Sequence, residues 1–130
     1  MANYYGQTRT NYFAVKDAEA FTRELEKYPV KIITEETPDR TLYGFLDDDD
    51  NGGGEICYNY EDIVWSEFFA RHLENDWVAI IMSAGSEKYR YISGYATAYN
   101  SAGNEIHLEL NDIYKLAENH LGNNVTRAEY

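Results

Sequence analysis

Trp77-Val78-Ala79-Ile80-Ile81-Met82-Ser83, the long run from Lys88 to Asn100, and Glu105-Ile106-His107-Leu108-Glu109-Leu110 are three successive β-forming stretches, and they decide the fold. The first is almost continuously apolar, as a buried strand is. The second is tyrosine-rich and interrupted only by Gly94. The third alternates, with Ile106, Leu108 and Leu110 on one side. Gly85-Ser86 reads as a turn between the first two, and Ser101-Ala102-Gly103-Asn104 as a hairpin turn between the last two. Parallel strands would need crossovers of about a dozen residues or more, so connections this short imply an antiparallel meander.

Beyond the meander, Asn111 is placed to cap a helix whose Ile113, Leu116, Ala117, His120 and Leu121 form its core side, with Gly122 as its stop. Before it, residues 61–74 read as a helix. Val64, Trp65, Phe68, Phe69, His72 and Leu73 cluster on one side, Glu67 and Glu74 point away, and Glu61 and Asp62 favour the positive end of its dipole. Further upstream, residues 7–15 read as a first strand and Asp17 caps a helix over 18–28, with Phe21, Leu25 and Tyr28 on one face. Residues 30–36 and 40–47 read as two strands joined at Pro38-Asp39, with Gly44 as a bulge position and a further short strand at Glu55–Tyr58. The order β-α-β-β-(β)-α-β-β-β-α predicts an α+β fold: one domain over 1–130, a mostly antiparallel sheet and three helices covering one face.

Hydrophobic residues make up 44% of the chain and aromatics 15%, enough for a core and too many for an acidic disordered segment. Most of the 13 tyrosines suit half-buried strands. A single cysteine, Cys57, excludes an internal disulfide framework and fits a reducing compartment. No signal peptide and no apolar run of membrane-spanning length is visible.

Catalytic patterns are missing from the sequence. There is no H-E-x-x-H spacing, no cysteine pair for zinc, no G-x-S-x-G elbow, and Gly52-Gly53-Gly54 lacks the lysine of a phosphate loop. Asp47-Asp48-Asp49-Asp50-Asn51-Gly52 begins like a calcium loop, but Tyr58 stands where the bidentate glutamate belongs. A solvated turn is the better reading, and a calcium-responsive regulator is the weakest of three functional readings. No catalytic residue, metal or cofactor is therefore expected, and the chain reads as a non-enzyme.

What remains is charge. Residues 35–76 hold 13 acids against Arg40 and Arg71, so this segment carries −11 of the chain's −12. Such a field repels nucleic acid itself and suits a basic partner. Asp47, Asp48, Asp49, Asp50 and Glu55 would lead that contact, Glu67 and Glu74 would support it, and Tyr43, Tyr58 and Tyr60 are candidate aromatic anchors.

The opening Asn3-Tyr4-Tyr5-Gly6-Gln7-Thr8-Arg9-Thr10-Asn11-Tyr12-Phe13-Ala14-Val15-Lys16-Asp17, the stretch Lys88-Tyr89-Arg90-Tyr91-Ile92-Ser93-Gly94-Tyr95 and the closing Thr126-Arg127-Ala128-Glu129-Tyr130 resemble a family of small acidic proteins carried by phages and other mobile elements of low-GC Gram-positive bacteria. The resemblance implies a protein of the bacterial cytoplasm that blocks a host defence. Its expected partner is a basic nucleic-acid-binding complex, such as a CRISPR effector or a restriction enzyme. The other reading of the same charge is an immunity protein that neutralises a basic toxin such as a nuclease.

Overall fold

The computed structural model describes residues 5–28, 30–47, 64–87 and 91–128. They form β1 (Tyr5–Thr10), α1 (Ala18–Leu25), β2 (Val30–Glu36), β3 (Thr41–Asp47), α2 (Trp65–His72), β4 (Val78–Glu87), β5 (Tyr91–Asn100), β6 (Glu105–Glu109) and α3 (Asp112–His120). The six strands make one antiparallel sheet in the order β2-β3-β1-β4-β5-β6. The α+β class and the element order are those expected; the anticipated strand at Glu55–Tyr58 lies outside the described residues.

α1 forms where anticipated. Asp17 is extended, and its carboxylate accepts from the Glu19 and Ala20 amides, satisfying two donors of the first turn. Phe21 and Leu25, four apart, are buried. In α2 the same periodicity buries Trp65, Phe68, Phe69 and His72. Both helices press on one face of the sheet through an aromatic cluster with Phe13, Phe45 and Tyr99. Val64 departs from the expected apolar face. It is the extended residue before α2 and stands 52% exposed.

β1 ends at Thr10, short of the expected Val15. Asn11 then substitutes its side chain for a strand backbone: Oδ1 accepts from the Ile80 amide at 2.7 Å and Nδ2 donates to the Val78 carbonyl at 3.0 Å. From there the chain crosses towards β3, where Phe13 and Tyr43 exchange two backbone hydrogen bonds of 2.8 Å. Between the pairs Arg9↔Leu46 and Phe13↔Tyr43 the first chain advances four residues and β3 three. The bulge is therefore on the β1 side and not at Gly44, whose strand pairs one-to-one with β2 from Val30↔Asp47 to Glu36↔Thr41. At the bulge the Thr10 hydroxyl replaces a carbonyl, accepting the Phe45 amide at 3.0 Å. Gly44 serves a different purpose, since a Cβ there would stand 2.6 Å from the Asn11 carbonyl oxygen.

Further corrections concern the meander. β4 continues straight through Gly85-Ser86, which pair with Ser93 and Ile92 of β5 and do not turn. The turn therefore falls after Glu87, and Gly94 lies in regular register opposite Ala84. The hairpin at Ser101–Asn104 is as expected, with Asn100 Oδ1 accepting from the Ala102 and Asn104 amides and Gly103 at a φ of 88°. α3 differs on two counts. Asn111 is helical and makes no side-chain cap; instead the Asp112 carboxylate accepts from the Glu109 amide. The face taken as its core side, Ile113, Leu116, Ala117, His120 and Leu121, holds no buried residue.

Because Asn11 cannot retreat without breaking its two side-chain bonds to β4 and the bond from its backbone amide to the Ile80 carbonyl, Gly44→Ala should cost about 1–3 kcal/mol. The measurement is thermal or urea unfolding, with an expected fall in Tm of several degrees. An unchanged Tm would show that the close approach relaxes freely.

Candidate partner-binding surface

The sequence placed the contact on the acidic middle of the chain. Asp48, Asp49, Asp50, Glu55, Tyr58 and Tyr60 lie outside the described residues, as do Cys57 and most of the calcium-like run. The structure does fix where that segment begins and ends. The rings of Phe45 and Trp65 stack with centroids 5.4 Å apart. β3 therefore delivers the chain at Asp47 to the same end of the molecule from which α2 starts. Glu67, in the first turn of α2, is exposed at that end, where the helix dipole favours a carboxylate.

The remaining acids sit elsewhere. Glu35, Glu36 and Asp39 surround the β2–β3 turn at the far end of β3, exposed and about 20 Å from Asp47 at the strand rise of roughly 3.3 Å per residue. Glu74 lies beyond the end of α2, so it does not share an outer helix face with Glu67. It accepts from Arg40 at 3.0 Å, and the Arg40 guanidinium lies over the Trp77 ring. Tyr43 is committed to the core, its ring against Phe21, and is not a free anchor.

Both arginines of the acidic segment are thus engaged. Arg40 holds Glu74; Arg71 holds Glu24 of α1. Among the described residues Glu35, Glu36, Asp39 and Glu67 make no ion pair. The segment's own bases leave its free carboxylates uncompensated.

Glu24 is the polar residue the sequence did not single out. Its second oxygen meets His72 Nε2 at 2.7 Å, so one carboxylate ties α1 to both His72 and Arg71 of α2. Burial pushes the Glu24 pKa up, but hydrogen bonds from His72 and Arg71 and the Arg71 charge outweigh it, holding the carboxyl below its ordinary 4.5. His72 lies on the apolar face of α2, as its spacing predicts, and Glu24 supplies its hydrogen-bond partner. Nothing local in the sequence pairs it with Glu24, because the two are brought together only when both helices dock.

A second polar group lies on β5 and β6. Thr97 Oγ1 is 2.7 Å from His107 Nδ1, and Glu109 Oε2 is 3.6 Å from His107 Nε2. The order hydroxyl, imidazole, carboxylate resembles a nucleophile with its base and orienter. Yet Thr97 is buried in the sheet, with its backbone paired to both β4 and β6. The longer separation also exceeds a hydrogen bond. The three side chains serve as cross-strand contacts.

Among the described residues no three His, Cys, Asp or Glu side chains converge on a metal position, and no helix is long and apolar enough to cross a membrane. No protein-family model, curated protein or solved structure matches this chain, so its function must be argued from its own charge and geometry.

The depressed Glu24 pKa stabilises the fold above the unfolded value, and this contribution disappears as pH falls through the folded one. Thermal unfolding from pH 7 to pH 3 should therefore show Glu24→Gln less stable than the parent at neutral pH, by about 1 kcal/mol. The two curves should converge below the ordinary carboxylate range. A constant gap down to pH 3 would mean that the ionised carboxylate contributes nothing.

Proposed function

We propose that this chain is a non-enzymatic inhibitor that uses an acidic surface to block nucleic-acid binding by a host defence complex, in the manner of an anti-CRISPR or antirestriction protein of a phage or mobile element. The observation that carries this reading is the concentration of 13 acids against two bases in residues 35–76, with both bases already held in ion pairs. A field of that kind destabilises the fold by self-repulsion unless something basic accepts it. Lysines and arginines that line a nucleic-acid channel do so, because they bind carboxylates with the same charge-assisted hydrogen bonds they make to phosphates.

Two further features support the reading. Phe45 of β3 and Trp65 of α2 stack on each other, so the ends of the two elements that flank the most acidic run of the sequence lie together, and Glu67 stands exposed in the first turn of α2. The acids of the β2–β3 turn lie about 20 Å away, which corresponds to roughly six phosphate steps along one strand at 3.4 Å each. Asp47, Asp48, Asp49, Asp50, Glu55 and Glu67 are the leading contacts, with Tyr58 and Tyr60 as anchors. Glu74 is a minor contributor because Arg40 neutralises it.

The test is competition. Labelled duplex DNA bound to a guide-loaded CRISPR effector or a restriction endonuclease should be displaced by the protein, and less so as salt is raised from about 50 to 200 mM. Replacing Asp47, Asp48, Asp49 and Asp50 together with asparagine should weaken displacement by at least about tenfold with the circular dichroism spectrum unchanged. Undiminished displacement by that variant removes the electrostatic reading. Binding confined to basic nuclease toxins in the same panel replaces the inhibitor reading with an immunity protein.

A further inference from the structure

α3 carries an exposed apolar stripe. Ile113, Leu116 and Leu121 are all exposed, Leu121 to 88%, and no residue of the helix is buried. A nine-residue helix is too short to be stable in water alone, where about 12–15 residues are marginal. Its own tail meets it where Tyr114 accepts from the Ala128 amide and lies under Arg127.

The sheet has a matching defect. α1 and α2 cover one face; on the other, the β4–β6 half carries Met82 at 57% exposure, Leu108 at 57% and Ile106 at 75%. Its relief is specific. Met82, Ala96 and Leu108 form one cross-strand row and Ile80, Ala98 and Ile106 the next, with Ala84, Gly94 and Leu110 beyond. Over these rows β5 contributes only Gly94, Ala96 and Ala98, flanked by Met82 and Ile80 of β4 and by Leu110, Leu108 and Ile106 on the β6 side, and Ile92 closes one end of the row. The result is a trough along β5 about 10 Å wide, two strand spacings, which is the diameter of a helix. Five-residue β6 runs for about 17 Å, and a nine-residue helix for about 14 Å.

We propose that this trough is filled by α3 of a second copy of the chain, and that the exchange is reciprocal, giving a two-fold dimer in which each copy's helix lies in the other's trough. Three observations select a second copy. The helix and the trough match in width, length and apolar character, and both are left open in one chain. A two-fold axis satisfies both at once, as isologous interfaces do. The charge permits it: residues 77–130 hold six acids and four bases, so this part of the chain is nearly neutral while the acidic field lies in 35–76. The area is adequate too. The exposed apolar side chains of trough and helix amount to roughly 500 Å² per copy, the apolar share of a standard interface of about 800 Å² per partner.

The experiment is sedimentation of the full chain with fluorescence detection, from about 1 nM to 100 µM, since standard-sized interfaces range from micromolar to tighter affinities. A particle of twice the 15.1 kDa chain mass is expected. Leu116→Glu on the helix and Leu108→Glu in the trough should each weaken the dimer by roughly thirtyfold or more, as loss of a central contact does. Met82→Glu replaces Leu108→Glu if circular dichroism shows the latter unfolded. A monomer throughout the range overturns the proposal. So does a dimer indifferent to Leu116→Glu, because two chains paired along their β6 edges would not need the helix. The acidic surface is untouched by these substitutions, so DNA competition by a monomeric variant reports on the inhibitor reading separately.

Discussion

Phe69 is the contact on which the rest of the molecule leans. Its ring stacks on Phe45 of β3 and Trp65 of its own helix, meets Phe13 edge-on, and reaches Tyr99 of β5 with centroids 5.1 Å apart. One side chain on α2 therefore touches the crossing segment and strands on both sides of β1. Phe21 adds α1 to the same cluster through Phe13 and Phe68. Offset and edge-to-face ring pairs contribute about 0.5–1.5 kcal/mol each beyond burial, so this packing specifies the positions of both helices as well as stabilising them.

The crossing from β1 to β3 follows from that packing. To place Phe13 beneath both helices, the chain must leave β4, and each backbone group it abandons needs another partner. Asn11 supplies one donor and one acceptor from its side chain, and the Thr10 hydroxyl supplies an acceptor to Phe45. The bulge is the geometric result, and Gly44 makes room for it.

Much of this was legible beforehand. Asp17, the Phe21–Leu25 spacing, β2 and the Ser101–Asn104 hairpin are local signals, and local signals decided them. Gly85-Ser86 misled because turn-forming residues sit inside a strand whose register is set by β1 and β5 together. Gly44 was recognised as special, but its reason lies at Asn11, more than thirty residues away in sequence. The α3 periodicity correctly marks a face that wants burial; periodicity does not say which surface provides it. Of the candidate contact residues, Glu67 stands free as anticipated and Glu74 does not, since the Arg40 that neutralises it arrives from another hairpin. Glu24 was invisible because its partners come from a different helix.

The stacked pair Phe45–Trp65 has a consequence for how such a chain can change over time. Those two rings hold the end of β3 beside the start of α2, so the entropy of bringing these two points of the chain together is offset by the hydrophobic core. Each doubling of the number of residues that separate two such points costs a flexible chain only about 0.6 kcal/mol. Residues between Asp47 and Val64 can therefore be added, removed or exchanged at small thermodynamic cost to the sheet and to the two helices packed on it.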